Sequence, residues 1–205
     1  MMKPEEIRLT YLLIATPVPN VYIGGAMVTD GYGLPKEFRY TEPIQPTKIQ
    51  QILYGQVLNS YIKREVILET LLKSVESKFK CLLVEDESLL SYKSKTFSVI
   101  RMSETKSSAI GEVGVMQEIA PTEILLQVTR ETPPLRLQFA DPVALEAPKT
   151  SPSLPGQDAL PKEPKPAPVY EPLIEASRYM DVYEPLRRVQ KAVEVICQEA
   201  GIARV

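Results

Sequence analysis

Apolar and polar positions divide the chain into a β-rich start, a helical middle, a second β section and a helical end. Residues 7–14 form a mainly apolar run of strand length. Pro17 and Pro19 are expected to close it, because proline cannot donate to a central ladder. Residues 21–28 read as a second strand, in which Gly24 and Gly25 mark a bulge or a close backbone approach. The stretch 30–35 is dense in turn formers. Beyond it Phe38 and Tyr40 alternate with Glu37, Arg39 and Thr41, the period-2 pattern of a half-buried strand. The pattern predicts a β-hairpin with a loop of about five or six residues.

Thr47 and Gln50 have the spacing of a capping box, in which each side chain satisfies a backbone N–H left open at a helix start. Ile49, Ile52, Leu53, Val57 and Tyr61 follow at spacings of three and four, as one apolar face. Ile67, Leu68, Leu71, Leu72, Val75 and Phe79 renew it after Lys63, Arg64 and Glu65. The stripe slips between Tyr61 and Ile67, and Gly55 interrupts the first half. Two consecutive helices or one bent helix are therefore expected, since a straight one would rotate its apolar face off the core.

Residues 80–84 read as a buried strand that leaves through Glu85, Asp86 and Glu87. Residues 96–102 and 124–129 are further strand candidates, with 113–119 less regular and 135–139 an expected edge strand after Pro133 and Pro134. From 141 to 168 eight prolines stand among very few large apolar residues, too little to offset the entropy of ordering, so an extended tether is expected. The five-residue string at 169–173, Val-Tyr-Glu-Pro-Leu, recurs at 182–186 and reads as two helix starts. The second leads into Leu186, Val189, Val193, Ile196 and Ala200 at a/d-like spacing, with Arg187, Arg188, Lys191 and Glu194 largely off the stripe and Gly201 as its stop.

The expected fold is α+β: an antiparallel or mixed sheet packed with one bent or two consecutive helices, then a Pro-rich tether and a C-terminal amphipathic helix. The expected organisation is a globular domain over 1–140, a linker over 141–168 and a helical segment over 169–205.

Charge and chemistry narrow the functions. With 24 basic and 26 acidic side chains the net charge is -2, which makes no broad attractive field for a polyanion. Histidine is absent, so Ser-His-Asp and Cys-His catalysis and histidine-ligated zinc, iron and copper sites are excluded within this sequence. Carboxylate-held magnesium or manganese, lysine chemistry, or no chemistry remain. Cys81 and Cys197 are far apart, lie in apolar surroundings and form no CxxC pair, so buried thiols of a reducing compartment are expected. The apolar run at 11–15 is too short, and too acidic in its approach, for a signal peptide or a membrane span. Cytoplasmic residence and no membrane partner are the expectation.

Three candidate sites emerge. Asp30, Glu37, Glu85, Asp86 and Glu87, with Lys93 or Lys95 nearby, are possible oxygen ligands of a nuclease metal, but solvated turns attract the same residues and no DxD or ExK spacing ties them together. Lys36, Arg39, Lys48, Lys63 and Arg64 could form a nucleic-acid-binding patch, with Tyr32, Tyr40, Tyr54 and Tyr61 as stacking partners, although Glu37, Glu42 and Glu65 interleave. Leu186, Val189, Val193 and Ile196 are the expected anchors of a helix seeking an apolar groove. The glycines at 24–25 and 31–33 lack the spacing of a phosphate loop.

The favoured reading is a non-enzymatic assembly subunit whose tethered C-terminal helix docks on a protein partner or a second copy, without cofactor or metal. An enzyme is disfavoured, for want of histidine and of any catalytic motif. The alternative is a nucleic-acid-binding subunit or a carboxylate-metal-dependent nuclease.

Overall fold

Strand β1 (Leu9–Val18) is where the fold is organised, because its first five side chains are buried whichever way they point. In this computed structural model, which describes residues 3–142 and 170–202, β1 pairs antiparallel with β2 (Val21–Thr29) and parallel with β4 (Cys81–Val84). The whole sheet has eight strands in the order β3-β2-β1-β4-β5-β8-β7-β6. The outer members are β3 (Pro35–Tyr40), β5 (Ser98–Glu104), β6 (Met116–Ala120), β7 (Glu123–Leu126) and β8 (Leu135–Phe139). Strands β1, β4 and β5 run parallel and the other pairings are antiparallel, so the sheet is mixed, within the expected α+β class.

Alternation along the central strands sends side chains to two cores. Leu9, Tyr11, Leu13, Cys81, Leu83, Ile100 and Met102 enter one, while Leu12, Leu82, Val84 and Val99 enter the other. Both faces of β4 are covered, which is why its sequence is a continuous apolar run. Cys81 and Cys197 are buried and form no disulfide, and desolvation pushes the Cys81 thiol up to about 12. Among the described residues no helix is long and apolar enough to cross a membrane.

Local expectations fare unevenly, each for a physical reason. The loop between β2 and β3 has the expected length, and Asp30 organises it by accepting from the N–H groups of Tyr32 and Leu34 at 2.9 and 3.0 Å. Pro17 does not end β1: a register shift between Ala15 and Val18 takes the proline out of the ladder, and the strand turns at Asn20, which has φ of 61°. Strand β8 is not an edge. It lies between β5 and β7 and leaves β6 at the margin, since Pro133 and Pro134 precede the strand rather than interrupting it.

The capping box forms as expected, with Gln50 N–H on Thr47 Oγ1 at 3.2 Å and Thr47 N–H on Gln50 Oε1 at 2.8 Å. It opens α1 (Lys48–Tyr54), which is followed by a 3-10 turn at Gly55–Val57 and α2 (Leu58–Tyr61). A π-helical stretch, Ile62–Leu68, then leads to α3 (Glu69–Ser74) and sits where the stripe slips. Leu58, Ile62, Ile67, Leu68 and Leu71 fill the second core. Ile67 lies so close to Gly24 that a β-carbon there would stand 2.3 Å from its Cγ2 atom. The expected burial of Ile49, Ile52, Leu53 and Val57 is corrected: all four are exposed, because the break at Gly55 separates α1 from the helix that reaches the sheet.

The larger correction concerns the C-terminal helices, α4 (Glu171–Ser177) and α5 (Glu184–Glu199). The repeated Val-Tyr-Glu-Pro-Leu strings start both, with the glutamate first and the proline second. Leu186, Val189 and Val193, expected to anchor a partner, are buried on the first core of their own chain, with Ile196 packed against them. Gly25 permits this approach, since a β-carbon there would meet Val193 Cγ2 at 2.9 Å and Val189 Cγ1 at 3.2 Å. Arg188 donates to the Gly33 carbonyl at 2.7 Å, and Gly201, at φ of 71°, ends the helix with Ile202 N–H on the Cys197 carbonyl at 2.8 Å. The stripe is therefore not available to another chain. The proline-rich linker expected over 141–168 lies outside the described residues beyond Pro142.

Because α5 closes the core instead of adding to it from outside, Leu186→Ala should lower stability by about 2–5 kcal/mol. Urea unfolding with an unchanged m-value measures this. A loss below about 0.5 kcal/mol, the range of ordinary surface substitutions, would refute the docking.

Candidate functional site at the carboxyl edge of the parallel strands

Parallel strands that end side by side leave their carboxyl edge open, and side chains just past those ends converge there. In this sheet β4 ends at Val84, so Glu85 follows at once, and its neighbour β5 ends at Glu104. Helix α5 supplies Tyr183 at its start, then Arg187, Gln190, Lys191 and Glu194. Together these seven residues line a cleft of about 370 Å³.

Hydrogen bonds hold the cleft in shape. The Tyr183 hydroxyl donates to Glu85, and Arg187 pairs with Glu104 while its guanidinium lies 5.2 Å from the Tyr183 ring centre. Gln190 donates to Glu194 at 3.1 Å. Burial, and then the Glu85 carboxylate, push the Tyr183 phenol well above its ordinary range, so Tyr183 remains a donor at neutral pH. Behind Glu85 stands Arg101, paired in register with Val84, which donates to the Glu85 carbonyl at 2.8 Å and binds Gln138 of β8. Three carboxylates and two cations thus share one opening. A larger cavity of about 630 Å³ joins it, sharing Glu85, Gln190 and Glu194 and floored by apolar residues such as Leu13, Val193 and Ile202.

Of the five carboxylates named from sequence, only Glu85 lines this cleft. Asp30 is buried in the β2–β3 turn, 2.8 Å from Lys36 Nζ. Burial acts to raise its pKa, but the hydrogen bonds from Lys36, Leu34 and Tyr32 prevail and hold it below the usual carboxylate range. Glu37 is likewise lowered against burial, by the N–H groups of Glu76 and Ser77, the Ser77 hydroxyl and Arg39. Asp86 receives Lys63 Nζ at 2.7 Å and caps the turn at Ser88, while Glu87 pairs with Arg101 at 3.4 Å. Each serves its own loop. Among the described residues no group of three or more His, Cys, Asp or Glu side chains is placed to hold a metal ion.

The five cations named from sequence are dispersed as well. Lys36 and Lys63 are paired with Asp30 and Asp86, Arg39 with Glu37 and Glu76, and Arg64 donates to the Ser91 hydroxyl; Lys48 stands at the exposed start of α1. Tyr54 and Tyr61 pack at a tilt of 34° with ring centres 4.7 Å apart, and Tyr32 meets Tyr179 edge-on at 5.5 Å. Sequence reasoning named none of Glu104, Tyr183 and Gln190 as site residues and placed Arg187, Lys191 and Glu194 only as lying largely off the apolar stripe. No spacing signal links β5 to a helix some eighty positions later, so only the packing of α5 could reveal them.

No protein-family model matches the chain, and no curated protein matches it. Solved structures do. Human ENDOV superposes with a TM-score of 0.54 at 12% identity, covering 94% of this chain and 85% of that one. Endonuclease V from Streptomyces avermitilis gives 0.51 at 11% identity, over 97% and 84%. The Ciona intestinalis endonuclease V, in complex with a 23-mer DNA containing an inosine followed by a ribo-adenosine, gives 0.53 at 8% identity, over 95% and 86%. At such identities the likeness establishes a shared fold. It corrects two expectations: a non-enzymatic assembly subunit as the favoured reading, and an enzyme as disfavoured. The fold shared with these three structures extends over 94–97% of the chain. Lack of histidine is a weak ground, since metal-assisted phosphoryl transfer uses carboxylates rather than imidazole.

The Tyr183–Glu85 contact has a pH signature. Above about pH 10 the unfolded chain releases the phenolic proton while the folded chain, with its raised value, keeps it, so the contribution of this group falls as pH rises. Denaturation midpoints from pH 8 to pH 11 should show the advantage of wild type over Tyr183→Phe shrinking above about pH 10. A constant difference would mean that the hydroxyl is not held as described.

Proposed function

We propose that this protein acts on nucleic acid as a nuclease-type protein, at the cleft formed by Glu85, Glu104, Glu194, Arg187 and Lys191. The observation that supports this reading is the coincidence of two independent features. The chain shares a frame with three endonuclease V structures across 94–97% of its length, one of them in complex with an inosine-containing DNA. Its own acidic and basic side chains converge at the carboxyl edge of the parallel strands.

In this reading Arg187 and Lys191, both exposed, take phosphate oxygens of the backbone, the electrostatic contact that dominates affinity for nucleic acids. Arg187 exchanges Glu104 for phosphate, a surface pairing that costs little to open. Glu85, its carboxylate held by the Tyr183 hydroxyl and its backbone carbonyl by Arg101, is placed to accept a proton from an attacking water. As the new P–O bond forms, the P–O bond to the leaving oxygen breaks and that oxygen takes a proton from solvent, while the two cations stabilise charge developing on the phosphoryl oxygens.

Labelled single-stranded and duplex DNA and RNA, with and without inosine, test the proposal at about 50 and 200 mM salt. Wild type should bind with a clear salt slope. Arg187→Ala and Lys191→Ala should each weaken binding across all sequences and lower that slope by about 1. Glu85→Gln should keep binding and reduce cleavage by at least about 100-fold, the scale of a positioned general base. Absence of binding by wild type at the lower salt would overturn the proposal, and cleavage unchanged in Glu85→Gln would remove Glu85 from the chemistry.

A further inference from the structure

Away from the cleft, α1 and the turn after it carry an apolar ridge that the described residues leave open. Ile49 is 69% exposed, Ile52 79%, Leu53 76% and Val57 60%, and Tyr54 and Tyr61 extend the ridge at 37% and 39%. Helix α1 buries none of its side chains. Seven residues with one capping box do not hold a helix in water, so a further surface must support it. A contiguous apolar patch of this size stands at the upper end of what soluble monomers carry and is often functional.

We propose that the ridge joins two copies of this chain, the α1 helices packing antiparallel about a two-fold axis near Leu53. Three observations select a second copy over a foreign partner. First, Lys48 is the only charged side chain from residue 48 to 62, so the ridge meets itself without like-charge repulsion and offers nothing to steer a charged partner. Second, the exposed apolar area is on the order of 600 Å² per copy, close to the roughly 800 Å² per partner of a standard interface. Third, Ile52 and Leu53 lie at the middle of the stretch and the bulky Ile49 and Val57 flank them on either side. A two-fold then sets each flank against the other and closes the assembly at two copies.

Sedimentation of the full chain from about 1 to 100 µM tests this, a range that spans ordinary homodimer affinities. Wild type should approach twice the 23.0 kDa chain mass, and its melting temperature should rise with concentration. The double variant Ile52→Asp with Leu53→Asp changes two side chains that are both more than three-quarters exposed, so it should fold, keep the native circular dichroism, run at chain mass and melt independently of concentration. A wild type at chain mass throughout, a dimer that survives the double variant, or growth into open assemblies larger than two would each overturn the proposal.

Discussion

The burial of α5 on strands β1 and β2 is the interaction on which the rest of the structure depends. Leu186, Val189 and Val193 fill the space above Leu9, Tyr11 and Leu13, and the missing side chain at Gly25 lets the helix come down to the sheet. Without that layer the first core would be open to water along the centre of the sheet, where β1, β4 and β5 expose apolar side chains on both faces. A mixed sheet with parallel central strands requires cover on both sides, and here a bent helix and a C-terminal helix each supply one.

The same packing makes the cleft. A helix laid across the ends of parallel strands brings its polar flank over the loop exits, so Tyr183 and Arg187 meet Glu85 and Glu104 as a consequence of where Val189 and Val193 must lie. Core packing and the cleft lining thus use neighbouring faces of one helix, with Tyr183 contributing to both. Arg101 adds rigidity from below by fixing the carbonyl of the residue whose side chain enters the cleft. A site assembled from strand ends and a docked helix is held more firmly than one built on mobile loops.

A likeness in fold at 8–12% identity transmits architecture, while the side chains that do chemistry belong to each chain separately. In this chain three carboxylates and two cations line one opening, and the turn-bound acids Asp30, Glu37 and Asp86 are engaged in loop structure. Electrostatic character therefore comes from the cleft and not from net charge, which is close to neutral.

Local patterns are what the amino-acid order determined by itself: the β2–β3 hairpin and its loop, the capping box at Thr47, the break between Tyr61 and Ile67, the buried run at 81–84, and the amphipathic helix ending at Gly201. Each rests on interactions among near neighbours, for which periodicity and turn chemistry suffice. Tertiary structure decided what those elements meet. The stripe of Leu186, Val189 and Val193 is equally apolar whether it faces its own sheet or another protein, and only the space left above Gly25 settles which. Ile49, Ile52 and Leu53 repeat with the same helical period as buried residues, yet the break at Gly55 leaves them in solvent. Glu85 and Tyr183 stand 98 positions apart, and nothing short of the packed helix brings them together. Periodicity identifies an apolar face, but the partner of that face is fixed by shape and distance across the chain, which no local pattern encodes.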